Sequence, residues 1–118
     1  MKTNPIRDRS FELSKEVVLL HKFLTQSKHE FILSKQFLRA GTSVGANTEE
    51  AIGGNSKQDF CYKLNIAYKE ARETMFWLRI LTETDYLTEP QSKAAMIKCD
   101  EVLRMLCAIL RTARSSTP

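Results

Sequence analysis

No run of apolar residues in this chain approaches the roughly 20 needed to span a bilayer, and the N-terminal "MKTNPIRDRSFE" lacks the apolar middle of a secretion signal. No membrane association and a cytoplasmic location are therefore expected. Cysteine is scarce: Cys61, Cys99 and Cys107 are odd in number and form no C-x-x-C pair. That argues against a disulfide framework or a thiolate metal site and predicts buried, reduced thiols. Histidine is scarcer still. His21 and His29 are the only two, and neither stands in the E-x-x-H pairing of di-iron helical proteins. Glu70 and Glu73, without histidine partners, suit an ion pair better than a metal, and a lone His21 beside Lys22 suits a surface or core role better than that of a base. "GGNSK" has the wrong order, and no preceding strand, for a phosphate loop. A non-enzymatic protein without cofactor or metal is the expectation.

What the chain has in plenty is helical periodicity. Its 118 residues are 42% apolar and 27% charged, which fits one globular domain over 1–118, since single domains run to about 50–200 residues. Leu13, Val17, Leu20 and Leu24 recur at spacings of 4, 3 and 4, with Phe11 and Val18 widening the stripe. Leu33, Phe37, Val44 and Ala51 share a second face. Phe60, Leu64, Ala67, Ala71, Leu78 and Leu81 form a third, of heptad type, and Met96, Cys99, Leu103, Leu106, Leu110 and Ala113 a fourth. No segment reads as a strand. Ser27-Lys28-His29 and Gly53-Gly54-Asn55 break the pattern. Ser56 suits an N-cap, and Thr88 with Pro90 and Gln91 suits a capping box. The spacing predicts helices over about 9–26, 30–51, 56–84 and 89–114. Connections this short predict an all-α, antiparallel up-down-up-down four-helix bundle.

The second helix is unusual. "FLRAGTSVGANTEEA" gathers Gly41, Thr42, Ser43, Gly45 and Asn47, among the poorest helix formers, in one element. Each glycine costs about 1 kcal/mol against alanine within a helix. Gly41 and Gly45 are four apart and face the same way, so they predict close approach of another element, within the subunit or between subunits; a local kink is the other possibility. Arg39, Ser43, Asn47 and Glu50 recur at 4, 4 and 3 as a polar line beside the apolar one. "YKEARETMFWLR" in the third helix answers it with Glu70, Glu73 and Trp77. An ion pair from Arg39 to one of these carboxylates is expected, within the bundle or across a subunit boundary. The third helix also carries Tyr62, Ile66, Phe76 and Ile80 beyond its core seam. Together with Trp77 they suggest either packing between copies or, for Trp77, one wide core.

The runs "SKQFLRAGTSVGANTEEA", "SKQDFCYKLNIAYKEARETMFWLRIL" and "CDEVLRMLCAILRTAR" resemble the four helix bundle protein family, also called the 23S rRNA intervening-sequence protein family. The resemblance covers about Phe11 to Arg114 in order and spacing. One departure is Thr48-Glu49, where members usually carry small or apolar residues before the "EA" pair. The resemblance implies a cytoplasmic bacterial protein and a homopentamer built as a barrel of bundles. It also implies kinship with the accessory factor of diversity-generating retroelements, which associates with a reverse transcriptase and nucleic acid. Most members have no assigned activity.

Charge points the same way. Lys and Arg outnumber Asp and Glu by 18 to 14, for a net charge of +4 and a pI near 9.1. A fivefold assembly would multiply that charge and favour anionic partners. Lys57, Lys63, Lys69, Arg72 and Arg79 lie along the third helix, and Lys98, Arg104, Arg111 and Arg114 along the fourth. These nine are the candidate contacts to RNA or DNA, through backbone charge and shape, because no base-reading motif is present; ordinary solvated side chains with i,i+4 partners are the other reading for many of them. A structural adaptor whose partner is a protein, such as a reverse transcriptase, is the alternative.

Overall fold

A computed structural model describes residues 3–115. Residues 1–2 and 116–118 of the expected domain lie outside the described residues. The first helix, α1 (Pro5–Ser27), begins four residues earlier than the periodicity of its leucines suggested. The cause is local. The Asn4 side chain accepts from the Arg7 N–H, and Pro5 takes the first helical position, where its missing N–H costs nothing. Ile6 then adds a buried residue to the stripe.

The second helix, α2 (Leu33–Ile52), starts later than expected because Glu30 turns back to cap it. The Glu30 carboxylate accepts backbone N–H groups from Ile32 and Leu33, both at 3.1 Å, and from Ser34 at 2.7 Å. The Ser34 hydroxyl donates to the Glu30 carbonyl at 2.7 Å. A carboxylate at a helix N-terminus satisfies orphan donors and meets the positive end of the dipole. His29, at φ 53°, turns the chain between the two helices.

α3 (Lys57–Glu83) starts at Ser56, whose hydroxyl accepts from the Asp59 N–H at 3.0 Å. It ends in a Schellman turn with Asp85 at φ 69° and the Tyr86 N–H on the Leu81 carbonyl. α4 (Glu89–Ser115) opens on a reciprocal capping box: the Thr88 N–H donates to the Gln91 side chain, and the Gln91 N–H to the Thr88 hydroxyl. Among the described residues there is no strand, and no helix is long and apolar enough to cross a membrane.

The four helices close a ring in which α1 packs on α2, α2 on α3, α3 on α4 and α4 on α1. Leu13, Val17, Phe37, Val44, Leu64, Leu78, Val102 and Leu106 fill the middle with no exposure at all. Phe11 and Val18, expected to widen the α1 stripe, are instead exposed. Phe11 lies nine residues before the buried Leu20 and so half a turn away, beyond reach of either neighbour. Two of the three thiols also depart from expectation. Cys99 is buried, donates to the Ala71 carbonyl at 3.2 Å, and is pushed up to about 12 by burial and by the Asp100 charge. Cys61 is half-buried and Cys107 exposed, and all three are free. Cys107 follows Cys99 by eight residues, about 80° further round α4.

The glycines of α2 meet α1 of the same chain, and α2 runs unbroken through them. A Cβ added at Gly41 would lie 2.5 Å from one Val17 methyl and 2.6 Å from the other; one at Gly45 would lie 2.6 Å from the Ser14 hydroxyl. Polar groups make the contact adhesive as well as close. The Ser14 hydroxyl donates to the Gly41 carbonyl at 2.8 Å, and Ser10 and Thr48 share a buried hydrogen bond of 3.2 Å. Thr48 and Glu49 are both used here: Thr48 in that buried pair, Glu49 in an ion pair with Arg7 at 2.7 Å.

Two predictions test these devices. Gly41→Ala gains helix propensity but must displace the buried Val17. It is expected to destabilise the protein by about 1–3 kcal/mol in urea denaturation, and Gly41→Ala with Val17→Ala is expected to recover part of the loss. Burial alone would raise the Glu30 pKa, but the Ser34, Leu33 and Ile32 N–H groups outweigh it and hold the carboxyl below its ordinary value. A pKa lower in the folded state gives stability that is complete above the ordinary carboxylate range and lost as pH falls through the folded value. Glu30→Gln should therefore lower the melting temperature at neutral pH and flatten its decline on acidification.

Candidate functional site

The flank of α2 opposite the glycine seam faces α3. There Arg39 reaches two carboxylates one turn apart, Glu70 at 3.0 Å and Glu73. The pairing is within one chain. Glu73 also accepts from the Trp77 indole N–H at 3.0 Å, and the Phe76 ring stands edge-on to Trp77, centroids 5.1 Å apart and planes at 73°. Four side chains are thus linked in series from α2 to the outer surface of α3. Each link follows from spacing: Glu70, Glu73 and Trp77 recur at 3 and 4 and share one side of the helix.

Electrostatics follow the same chain. The Trp77 N–H is the strongest influence lowering the Glu73 pKa, burial opposes it, and the Arg39 guanidinium adds a further lowering. Arg39 itself is about half exposed, so the network orients side chains more than it stabilises the fold.

The other polar candidates on α2 divide. Glu50 pairs with Lys63 at 3.0 Å and is a second α2–α3 tie. Asn47 turns inward on its own helix and donates to the Ser43 carbonyl at 2.9 Å, so these two do not bridge to α3. Trp77 is partly buried against the core, whereas Tyr62 and Phe76 stay 63% and 53% exposed. The aromatic surplus of α3 therefore splits into one residue that packs within the bundle and two that stay exposed on the single chain.

The nine candidate phosphate contacts also split. Lys98 reaches Glu16 of α1 at 3.1 Å and Lys63 reaches Glu50 of α2; both serve as ties between helices. Arg104 pairs with Asp100 at 2.8 Å and Arg79 with Glu83 at 3.7 Å, within their own helices and largely in solvent. Arg111 approaches the Cys107 sulfur at 3.7 Å, while Lys57 and Arg114 are exposed near helix ends. Lys69 and Arg72 are exposed on the outside of α3 with no carboxylate of the described residues within ion-pair reach. Tyr62, Lys69, Arg72, Phe76 and Arg79 recur at 7, 3, 4 and 3, forming one outward stripe of aromatic and basic side chains.

Sequence reasoning had not singled out Glu30, Ser10 or Ser14. Only Glu30 left a signal: an acid four residues before Ser34 at the start of an apolar-periodic segment. Among the described residues no group of three or more His, Cys, Asp or Glu side chains is placed to hold a metal.

Comparison with known proteins agrees with the pattern of residues. The model of the family described as 23S rRNA-intervening sequence protein matches residues 2–108. A crystal structure of a protein of unknown function from the S23 ribosomal protein family of Bacteroides thetaiotaomicron VPI-5482 is similar in sequence and fold. It shares 44% identity at a TM-score of 0.86, over 89% of this chain and 97% of that one. No curated protein matches the chain.

Because Trp77 is the chain's single tryptophan, its fluorescence reports on Glu73. Trp77 emission should titrate at a pH below the ordinary carboxylate range, and Arg39→Met should move that midpoint upward while changing the unfolding free energy by no more than about 1 kcal/mol. An unmoved midpoint would show that Arg39 does not act on Glu73 in solution.

Proposed function

The chain belongs to the 23S rRNA-intervening sequence protein family, and from that premise we propose that it is a non-enzymatic, cytoplasmic, oligomeric accessory factor that holds RNA or DNA through basic surface patches. The observation that carries this reading is the pair Lys69 and Arg72. They sit three residues apart on the outer face of α3, exposed and without carboxylate partners among the described residues, while Lys63 and Lys98 are spent on ties between helices. Unpaired cations on a rigid helix favour a polyanion, and each phosphate neutralised releases counterions.

The subunit is an antiparallel up-down-up-down bundle. Support comes from Arg7 with Glu49, Ser10 with Thr48 and Ser14 with Gly41, where rising positions on α1 meet falling positions on α2. Assembly as a homopentamer follows the family resemblance. Phe11, Val18, Leu19, Phe31 and Ile32, exposed on α1 and at the start of α2, supply apolar surface for contacts between copies. Such contacts would repeat each basic patch around the assembly and strengthen attachment to one polyanion. A protein adaptor, with a reverse transcriptase or another protein as partner, is the alternative; the same exposed apolar residues favour it.

Titration of the protein with labelled structured RNA and matched duplex DNA at several salt concentrations, with mass by light scattering in the same buffers, tests the reading. The expected result is micromolar or tighter binding whose logarithm falls linearly with log salt, with a slope of about 0.7–0.9 per phosphate contact. No binding at low salt would overturn it in favour of the adaptor.

A further inference from the structure

The outer stripe of α3 holds more than charge. Going along the helix, Tyr62, Lys69, Arg72 and Phe76 cover roughly 21 Å, with an exposed aromatic ring at each end and two cations without partners between them. Both rings stand beside fixed groups. Phe76 packs edge-on against Trp77, which is hydrogen-bonded to Glu73, which is held by Arg39. Tyr62 lies beside the Lys63 ammonium, 6.0 Å from its centroid, and Lys63 is held by Glu50.

Half-exposed aromatic rings that are already oriented lose little freedom when something stacks on them. A duplex keeps its bases stacked inside and offers these rings only backbone. A second protein surface pressed dry onto the stripe would bury Lys69 and Arg72 without partners, which is costly. A single strand satisfies both features, since its phosphates meet the cations while its unstacked bases meet the rings.

We infer that the outer face of α3 is a track for single-stranded nucleic acid, in which Phe76 and Tyr62 stack bases and Lys69 and Arg72 hold the intervening phosphates. The inference rests on the nucleic-acid reading above and adds to it the form of the ligand and the residues that select it. The chain Arg39–Glu73–Trp77 acts as a positioning device for the Phe76 platform.

The test is fluorescence anisotropy with labelled oligouridine, oligothymidine and a matched duplex, on the full chain and on Phe76→Ala, Tyr62→Ala, Phe76→Tyr and the double variant Lys69→Ala/Arg72→Ala. Light scattering records the mass of each. Single strands are expected to bind more tightly than duplex, and the two single strands show whether the sugar matters. Phe76→Ala and Tyr62→Ala should each weaken single-strand binding by about 5- to 150-fold, the range of one base–aromatic stack, without changing the salt slope. Phe76→Tyr should retain binding. The lysine–arginine double variant should lower the slope by about 0.7 per lost phosphate contact. Bound oligouridine should also perturb Trp77 emission, and this response should vanish in Phe76→Ala.

Four results would overturn the track. Alanine variants that bind as the parent does, or a duplex bound as tightly as the single strands, would leave phosphate binding standing and remove base stacking. A changed mass in Phe76→Ala or Tyr62→Ala would make the rings a contact between copies. Absence of binding to any probe at low salt would remove the track together with the nucleic-acid function on which it rests.

Discussion

Two glycines of α2 lie against α1 so closely that a methyl group at Gly41 would collide with the buried Val17. The two together cost about 2 kcal/mol of helix propensity, and the contact they permit offsets that cost. The Ser14 hydroxyl bonds the Gly41 carbonyl, a net contribution of about 1 kcal/mol. The Ser10 hydroxyl is satisfied by Thr48, whose own hydroxyl donates to the Val44 carbonyl, where an unpaired hydroxyl would be expensive, and Val17 packs directly onto backbone. With α1 seated this tightly on one flank of α2, the rotation of α2 about its axis is fixed. Its polar line then faces α3, which places Arg39 between Glu70 and Glu73, and Glu50 beside Lys63.

That rotation also governs what reaches the surface. Glu73 holds Trp77, and Trp77 supports Phe76, so an exposed ring on α3 is oriented by contacts that begin on another helix. The exposed ion pairs in this series contribute little to stability. Their effect is geometric, because a ring held in one orientation presents the same surface to every ligand that arrives.

Much of this was legible in the sequence because it repeats with the period of a helix. Leu13, Val17 and Leu24, or Leu64, Ala67, Ala71 and Leu78, declare their burial by spacing alone, and Ser56, Thr88 and Gln91 declare two helix starts. The glycine pair announced a close approach without naming the helix that makes it. Phe11 and Val18 misled because hydrophobicity marks a residue as able to be buried, whereas burial requires a neighbour at that angle. Glu30 was missed because its cap depends on the chain turning back at His29, a backbone event with no periodic trace. The cations were the least legible. Lys63, Lys98 and Lys69 are equivalent in a sequence, and only folding brings Glu50 to the first and Glu16 to the second while leaving the third alone.

This sorting changes what net charge means here. A total of +4 describes a weak field spread over the surface, but most cations with a neighbouring carboxylate contribute little at a distance because their partners cancel them. One such local excess is the pair Lys69 and Arg72 on the outer face of α3, with Glu83 paired to Arg79 further along. A polyanion approaching the protein meets that local excess rather than the average. Since the rings of Tyr62 and Phe76 flank the same two cations, the proposed track would join, in one place, charge that attracts a strand and surfaces on which its bases could rest.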